Sequence, residues 1–561
     1  MRLPPFATAQ LWPRRLAFAL VLYGGALLWF WPTRRAGWVT DILGLAPRIA
    51  EGSSLAGAWT GYGSPVFHPI TLGMHYLLWQ GAGAMSLVYY FLWVGLHAMT
   101  AWLLGESVRT LIRREGWPHA RSAGALAAVA FVVYPYAVEA VVWRATLNYL
   151  LCAPSLLLAC WAAYAYGHVG RRKHLVMSGL GIGFALLCFD LAWIGPVLVA
   201  VAAGLGTKRC PFGVARAGTV FGVGAAVLVA YLALKSVVIG TAVGHYGAET
   251  HLEASPAVVL PNVWRALTKL VFLTRELSFS AMDALNGTLA RVEVYVSATA
   301  AALAFFCWWA WRLARRSRRW WITGMLGVGA VVSVLPTANL YFYWILGAEN
   351  DRYQYFPAVW VIALLAVAWA GIGNKGIRWA TAAAALIAYG TFGHRQIRHW
   401  AANQQLQAAL LNDFPRSPAG DVFVLSAPEN FRGTYLFRDA NLPYTALEAN
   451  LSYLRGEAPA GRVRELTTFN QMQPTDSVAA HVNPAGEVEL TFRQGGNWFW
   501  RGGIGLSDYR DEDVEVKAGL PVRICFVESL APDATLLYPT GQTWTELSKE
   551  GLRRCREIGA Q

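Results

Sequence analysis

Long apolar runs recur from Leu16 to Tyr389 and then stop. A helix that crosses a bilayer needs about 20 consecutive, mostly apolar residues, because its backbone must satisfy its own hydrogen bonds in hydrocarbon. The composition agrees, since 56% of the residues are hydrophobic, 14% are charged and the mean hydropathy is +0.37. The sequence therefore predicts a polytopic α-helical membrane protein and excludes an ordinary soluble enzyme.

The apolar runs predict eleven spans, near residues 15–32, 84–108, 122–141, 149–167, 174–189, 191–206, 217–239, 295–311, 321–339, 355–372 and 378–392. Basic clusters fall on one side of this alternation, and they include Arg113/Arg114, Arg171/Arg172/Lys173 and Lys375/Arg378. Because Lys and Arg are enriched in cytoplasmic loops, the N-terminus is predicted inside and the C-terminus outside. The same placement explains the formal net charge of +14 without nucleic acid as a partner.

Three segments on the predicted outer side are long or rich in charge. The first, residues 33–83, is longer than a connection requires, which indicates a functional loop. Within it, HPITLGMHYLLW has helical periodicity with Pro69 in the first turn, which predicts a helix along the outer membrane surface. The second segment, residues 241–294, contains another predicted interfacial helix, VWRALTKLVFLTREL, and the third is residues 339–357.

Ionisable residues gather at one predicted depth, near the outer membrane interface. They are Glu139, Arg144, Asp190, Lys235, Glu349, Asp351 and Arg352. A charged residue at the end of one span more often only snorkels to water, and Glu139 and Arg144 could also form a structural pair across a helix break. The whole group instead indicates that the end of the span 122–141, near Glu139 and Arg144, borders a water-accessible cavity.

Carboxylates and cations that meet at the outer face suit a particular chemistry. Lys and Arg bind the phosphate of an anionic lipid that enters from the bilayer. A carboxylate can act as the base for a sugar hydroxyl that attacks an anomeric carbon. The residues therefore favour a site for a membrane lipid and a sugar.

The chain contains the stretches FVVYPYAVEAVVWRATLNYLL, HPITLGMHYLLW and AENDRYQYFP. These three stretches resemble motifs of the tetratricopeptide-linked O-mannosyltransferases and their bacterial relatives. FVVYPYAVEAVVWRATLNYLL is similar to that family's HP-x-x-VEAV-x-W segment; Tyr134 stands where a His is usual, and the retained residues are Pro135, Val138, Glu139, Ala140, Val141 and Trp143. HPITLGMHYLLW resembles its RPLT-type external helix, with His68 in place of Arg, and AENDRYQYFP resembles its DRYLYLP segment. The resemblance covers roughly residues 15–392.

This resemblance implies a GT-C glycosyltransferase fold and a sugar donor linked to polyprenyl phosphate. It also implies an acid in the first external loop, which Asp41 matches, as the base of a single inverting displacement. The donor phosphate would be bound by Arg352, Lys235 and Arg144. The sugar and acceptor pocket would be formed by Glu139, Asp190, His68, His75, Glu349, Asp351 and Tyr353.

Two departures from the family pattern bear on mechanism. The family often has paired acids where WVTDILG offers only Asp41, so a divalent metal such as Mg or Mn, which prefers several oxygen ligands, is not expected and no cofactor is predicted. Phe189 stands where the family frequently has the lysine of a KE pair, which leaves Asp190 as the acid.

Residues 393–561 are more polar than the transmembrane catalytic domain predicted for residues 1–392. The helical pattern GHRQIRHWAANQQLQAALLNDFP is followed by strand-like runs such as DVFVLSAP and LPVRICFVES with turn signals between them. The pattern predicts a soluble α/β domain on the outer side. Cys525 and Cys555 are its only cysteines, and oxidising conditions there would allow a disulfide.

The sequence leaves more than one possibility for the acceptor and for the type of reaction. The C-terminal domain would bind a glycan or exported-protein acceptor, or cap the catalytic cavity. An O-antigen polymerase or ligase would instead use a diphosphate-linked donor, and a lipid or solute transporter would carry out no chemistry. The high Trp, Ala and Arg content favours a bacterial inner (cytoplasmic) membrane, with the C-terminal domain in the periplasm.

Overall fold

A computed structural model describes residues 12–39, 41–50, 54–63, 66–83, 87–207, 210–242, 255–273, 279–313, 318–338, 351–416, 418, 420–432, 434–437, 446–457, 459–471, 473–493, 499–500 and 506–555. The chain divides into two compact units. The first comprises the described residues of 1–34 and 52–397, and the second those of 35–51 and 398–561.

The described part of the chain is mostly helical. Its α-helices are α1 (Trp12–Phe30), α2 (Asp41–Ala50), α3 (Pro69–Ala82), α4 (Leu87–Arg114), α5 (Ala120–Val132), α6 (Val138–Val142), α7 (Leu147–Val169), α8 (Arg172–Cys188), α9 (Gly195–Gly206), α10 (Cys210–Ile239), α11 (Pro256–Phe272), α12 (Phe279–Leu289), α13 (Val292–Leu313), α14 (Arg318–Ala338), α15 (Tyr355–Ala370), α16 (Lys375–Asp413) and α17 (Ala446–Asn450).

Six described helices are long and apolar enough to cross a membrane: Pro13–Thr33, Leu87–Arg114, Arg144–Val169, Val214–Ile239, Trp321–Ala338 and Asp351–Ala370. A bent pair, Ala120–Val132 with Pro135–Val142, would make a seventh span. The predicted count of eleven is not confirmed. One reason is helix length, because the 12 residues of α9 extend only about 18 Å, less than the hydrocarbon core of a bilayer.

The predicted span 122–141 is broken rather than straight. Pro135 disfavours the helical conformation at the residue before it, and Tyr134 is extended with φ −65° and ψ 124°. The helices on the two sides of this point are bent by 52°. A second extended residue, Trp143, ends α6 before a 3₁₀ turn at Arg144–Thr146. Short helices and turns therefore carry Glu139 and Arg144.

Two predicted surface helices are present as helices. Pro69 is the first residue of α3, where its missing N–H costs no helical hydrogen bond. Pro256 has the same position in α11, which includes part of the predicted VWRALTKLVFLTREL helix.

Small residues allow close packing between helices of the first unit. A Cβ added at Gly105 of α4 would lie 2.6 Å from the carbonyl oxygen of Gly124 on α5. Such approach of two backbones is typical of helices that pack within a membrane.

The C-terminal unit contains strands, as the sequence predicts. They are β1 (Val422–Val424), β2 (Ala427–Phe431), β3 (Thr434–Tyr435), β4 (Val463–Glu465), β5 (Thr468–Gln471), β6 (Val478–Val482), β7 (Val488–Phe492), β8 (Phe499–Trp500), β9 (Tyr509–Arg510), β10 (Val514–Lys517), β11 (Val522–Phe526), β12 (Thr535–Thr540) and β13 (Thr543–Glu546).

These strands form three sheets, in the orders β13-β12-β1-β4, β6-β7-β11-β10-β9 and β3-β2-β5-β8. In the first sheet β1 is parallel to both β12 and β4, with Val422 opposite Thr535 and Val463. The second sheet is antiparallel. One core of this unit, which includes Leu425, Leu490 and Leu536, packs between sheets, and another includes Leu410 of α16 and Phe414, which follows that helix.

Residues 35–51 belong to the second unit, although the sequence analysis assigns this loop to the helical domain. The amide nitrogen Nε2 of Gln407 donates to the carbonyl oxygen of Trp38 at 3.0 Å and to Oδ1 of Asn450 at 2.6 Å. These buried bonds join the loop to α16 and α17. A sequence-based boundary at residue 392 does not detect them because they link residues far apart in the chain.

Cys525 and Cys555 form a disulfide with their Cα atoms 5.2 Å apart. It joins β11 to the end of the described chain.

The double substitution Cys525→Ser and Cys555→Ser is expected to lower the free energy of unfolding by about 2–4 kcal/mol, because the crosslink restricts the unfolded chain. Thermal unfolding of the full-length protein, with and without a reductant, measures the effect. Reductant should destabilise the wild type and leave the double variant unchanged; equal sensitivity of both would contradict the disulfide.

Candidate functional site

Glu139 and Arg352 form an ion pair within the first unit. Nη1 of Arg352 lies 2.5 Å from Oε1 of Glu139, and the backbone N–H of Arg352 donates to Oε2 at 3.1 Å. Glu139 is buried in the short helix α6, and Arg352 lies in a 3₁₀ turn, Asp351–Gln354. The guanidinium also stacks near Trp143, with its carbon 4.6 Å from the ring centroid. Both charges are therefore held in a fixed geometry.

Asp190 and Lys235 form a second pair. Nζ of Lys235, which is fully buried on α10, lies 2.9 Å from Oδ2 of Asp190. The hydroxyl of Tyr231 donates to Oδ1 of Asp190 at 2.5 Å, and Nε2 of His68 is 3.8 Å from Oδ2. Asp190 thus gathers contacts from α10 and from the residue that precedes α3.

A third pair joins Asp351 to Lys269. The carboxylate of Asp351 is fully buried, and its Oδ1 lies 2.7 Å from Nζ of Lys269 on α11. The same Nζ is 5.1 Å from the ring centroid of Tyr136, in the turn that follows the helix break. The pair therefore holds the turn at 351–354 against α11.

Aromatic rings connect the first two ion pairs. Tyr353 lies beside Arg352, with its ring 4.8 Å from the guanidinium carbon, and packs against Tyr149 at 6.3 Å between centroids. Tyr149 contacts Phe189 at 4.6 Å, and Phe189 contacts His68 at 5.1 Å. The residues form one continuous cluster, which we call the charge cluster and define as the three ion pairs with these rings.

Arg144 adds a fourth cation but has no carboxylate partner among the described residues. It is 1% exposed, and its Nη1 makes only a long 3.4 Å contact to the carbonyl oxygen of Val141. Its Nε is buried and has no hydrogen-bond partner in the described part of the chain. The guanidinium carbon lies 5.9 Å from the ring centroid of Trp93, whose Nε1 donates to the carbonyl oxygen of Trp143.

His75 packs on the same tryptophan, 5.8 Å from Trp93 between ring centroids. Burial lowers the pKa of His75 to about 4, so the imidazole is neutral at neutral pH. Its Nδ1 is buried without a hydrogen-bond partner among the described residues. A neutral imidazole can donate one hydrogen bond to a ligand but adds no positive charge.

The formal charges of this region do not balance among the described residues. Glu139, Asp190 and Asp351 each meet one cation, and Arg144 is left over. Glu139 and Arg144 do not form the structural pair that the sequence leaves open, because Glu139 pairs with Arg352. Lys235 and Arg352, predicted as phosphate ligands, are both bound to carboxylates. The geometry favours Arg144 as the cation available for an added anion.

Two predicted site residues are not part of the described arrangement formed by the charge cluster, Arg144 and His75. Asp41 is the first residue of α2 in the second unit, and its side chain is exposed. Glu349 lies outside the described residues. The remaining predicted residues, His68, His75, Glu139, Arg144, Asp190, Lys235, Asp351, Arg352 and Tyr353, all belong to the first unit.

Lys269 belongs to the charge cluster and Tyr231 donates a hydrogen bond to its Asp190, but the sequence does not single out either residue. Lys269 lies within the predicted interfacial helix, where a lysine is expected to reach water. Tyr231 sits in an apolar span without a local motif. Only the folded structure shows that Lys269 lies beside Asp351, and no local feature of the sequence indicates it.

The carboxylates of the cluster are engaged by cations, so none offers a ready metal ligand set. In the part of the chain that the structure describes, three metal-ligating groups meet only at Glu515, Cys525 and Cys555. Those sulfurs are bonded to each other and cannot bind as thiolates.

No protein-family model matches the chain, and no curated protein matches it.

Asp190→Asn is expected to destabilise the protein by roughly 3–5 kcal/mol, because it leaves the buried ammonium of Lys235 without its carboxylate. Adding Lys235→Met should recover most of this loss, since neither charge then remains. Thermal unfolding in one detergent compares the variants. The same substitutions at the exposed pair Asp508 and Lys517, 3.4 Å apart, are the matched controls and should leave the unfolding temperature unchanged. A double variant no more stable than Asp190→Asn would contradict this pairing.

Proposed function

We propose that the chain is an integral-membrane glycosyltransferase. It takes a sugar from a polyprenyl-phosphate donor and transfers it to a glycan or exported-protein acceptor at the outer face of the membrane. The observation that carries this proposal is Arg144, a buried cation that lacks a carboxylate among the described residues.

A buried guanidinium without a counterion is costly, because removing a charge from water is repaid only by a close opposite charge and hydrogen bonds. The other three cations of the region already have carboxylate partners. Arg144 is therefore the position where an added anion gains most. A phosphate suits it, since guanidinium nitrogens match phosphate oxygens in pairs.

The position of Arg144 along the chain favours the phosphate of a lipid. Arg144 is the first residue of a candidate membrane span, Arg144–Val169. A lipid places its phosphate at the end of the spans and its hydrocarbon beside them. The neutral imidazole of His75, which shares Trp93 with Arg144, can donate one hydrogen bond to the same anion.

The type of reaction comes from the sequence resemblance. In the proposed step, the carboxylate of Asp41 accepts the proton of an acceptor hydroxyl, and that oxygen forms a bond to the anomeric carbon. The bond from the anomeric carbon to the phosphate oxygen breaks, and polyprenyl phosphate leaves with the electron pair. Arg144 stabilises the charge that develops on the leaving phosphate. One displacement of this kind inverts the anomeric configuration.

The ion pairs of the charge cluster have a supporting role in this proposal. Their carboxylates and the Tyr231 hydroxyl can accept or donate hydrogen bonds to sugar hydroxyl groups. In this proposal Arg352 and Lys235, which the resemblance assigns to the donor phosphate, also orient Glu139 and Asp190, with which they form ion pairs. The N–H groups of Arg352 and Lys235 that do not contact a carboxylate still contribute positive electrostatic potential at the phosphate.

The proposal includes the finer features that the resemblance implies. These are a GT-C-like arrangement of about eleven spans, a cytoplasmic N-terminus, and a C-terminal domain in the periplasm of a bacterium. Asp41 belongs to the same unit as that domain.

The test incubates the purified full-length protein, in lipid, with polyprenyl-phosphate sugars and membrane extract. Wild type should consume one donor and release polyprenyl phosphate, and Asp41→Asn should lower turnover at least about 100-fold because the base is lost. Glu512→Gln, at an exposed acid of the same unit, is the control and should retain full activity.

Two outcomes would contradict parts of the proposal. Equal turnover by wild type and Asp41→Asn would remove Asp41 as the base. Consumption of only diphosphate-linked donors by the wild type would replace the transferase with a polymerase or ligase, and the absence of any consumption would favour transport.

A further inference from the structure

A cavity of about 320 Å³ lies between α5, α15 and α16 of the first unit. Its walls are almost entirely apolar, with alanines on all three helices and the side chains of Leu365, Trp369 and Tyr389 among them. A cavity lined in this way does not retain water well, because water needs several polar partners. A hydrocarbon group is therefore the ligand that its chemistry favours.

The cavity is elongated along α16. Thr381 and Tyr389 of this helix both line it, and eight residues of helix correspond to about 12 Å. Four lining residues are exposed on the surface of the unit, namely Leu365, Ala368, Thr381 and Ala385. A chain could therefore enter from the side, as an acyl chain does from a bilayer.

One end of the cavity adjoins a buried cation, Arg378. Its Nη1 donates to the carbonyl oxygen of Ile372 at 3.0 Å, and Thr381 and Trp369 donate to its own carbonyl oxygen. Ile372, Thr381 and Trp369 all line the cavity. The guanidinium carbon lies 5.7 Å from the Trp369 ring centroid. The cation therefore sits where the cavity meets the start of α16.

Arg378 has capacity for a further ligand. It is 6% exposed, yet its Nε is buried with no hydrogen-bond partner among the described residues. No carboxylate pairs with it in the part of the chain that the structure describes. The hydrogen bond to the carbonyl oxygen of Ile372 involves only Nη1. A purely structural role would therefore leave the positive charge of the guanidinium without a compensating anion.

The N-terminus of α16 lies at the same place. Arg378 is the fourth residue of this helix, and the first N–H groups of a helix favour an anion. Asn374 caps the amide of Ile377, and the neighbouring Lys375 is exposed. A helix end and a buried arginine thus converge next to an apolar cavity.

We propose that this cavity binds one acyl chain of an anionic phospholipid, whose phosphate is held by Arg378 and the N-terminus of α16. The combination of an apolar channel and a cation at one end matches the two chemical parts of such a lipid. Lys375 and Arg378 belong to the basic clusters predicted on the cytoplasmic side, where anionic lipids are enriched. The site is separate from the charge cluster and does not depend on sugar transfer.

The orientation favours a phospholipid over the polyprenyl donor. Tyr389 lines the cavity at the end farther along α16 from Arg378, and its ring packs against that of Tyr134 at 5.1 Å between centroids. That end presents aromatic surface, and the cation lies at the other end. The headgroup should therefore lie at Arg378, on the side opposite to the predicted site of sugar transfer.

Native mass spectrometry of the delipidated full-length protein, titrated with phosphatidylglycerol or phosphatidylcholine, tests the proposal. Wild type should bind one phosphatidylglycerol in preference to phosphatidylcholine. Arg378→Gln should weaken phosphatidylglycerol binding by at least about tenfold, because a charge-assisted contact to phosphate is lost. Ala385→Phe, which fills the cavity without changing Arg378, should weaken both lipids.

Lys375→Gln is the matched control, and it should bind phosphatidylglycerol within about twofold of wild type because an exposed contact contributes little. The unfolding temperature of each variant confirms that it is folded. The proposal fails if wild type binds both lipids equally, or if folded Arg378→Gln and Ala385→Phe bind as wild type does. Displacement of phosphatidylglycerol by polyprenyl phosphate at lower concentration would instead assign the cavity to the donor.

Discussion

Charge burial is the constraint that organises the helical unit. An ionised side chain removed from water needs an opposite charge and hydrogen bonds close by, and this need is greatest where helices are surrounded by hydrocarbon. Glu139, Asp190 and Asp351 satisfy it through Arg352, Lys235 and Lys269. The pairs join elements that are distant in sequence, and Glu139 and Arg352 are 213 positions apart. These contacts hold the elements that carry the six side chains against one another.

The break in the helix at Tyr134 makes this arrangement possible. In a straight helix through residues 122–141, the side chain of Glu139 would lie on the same face as the residues three and four positions before it. Pro135 interrupts this helix, and the following short elements present Glu139 to the turn that contains Arg352. The second extended residue, Trp143, separates Glu139 from Arg144, so the two charges have different surroundings. One becomes paired and the other remains open to a ligand.

The sequence predicts the kinds of element well and the contacts between them poorly. Apolar runs predict helices, Pro69 marks the start of α3, and alternating runs such as LPVRICFVES predict the strands of the C-terminal unit. These features are local. The pairing of Lys269 with Asp351 is not local, and nothing near Lys269 in the chain distinguishes it from an interfacial lysine. The same limit applies to Arg352 and Lys235. The sequence predicts them as phosphate ligands because it does not show the carboxylates with which they pair.

The same physical rule leads to both lipid proposals. Arg144 and Arg378 are buried arginines without a carboxylate among the described residues, and each lies beside elements that suit a membrane lipid. They differ in surroundings. Arg144 lies near an ion-paired, hydroxyl-bearing cluster in which a sugar can be held, whereas Arg378 adjoins an apolar cavity alone. The first arrangement favours chemistry, and the second favours stable binding.

The most direct measurement is an experimental structure of the full-length protein with a bound polyprenyl phosphate that carries no sugar. The account predicts phosphate density within hydrogen-bond distance of the Arg144 guanidinium, with the three ion pairs of the charge cluster intact. Phosphate density elsewhere, or a carboxylate of the chain itself, such as that of Glu349, against Arg144, would contradict it.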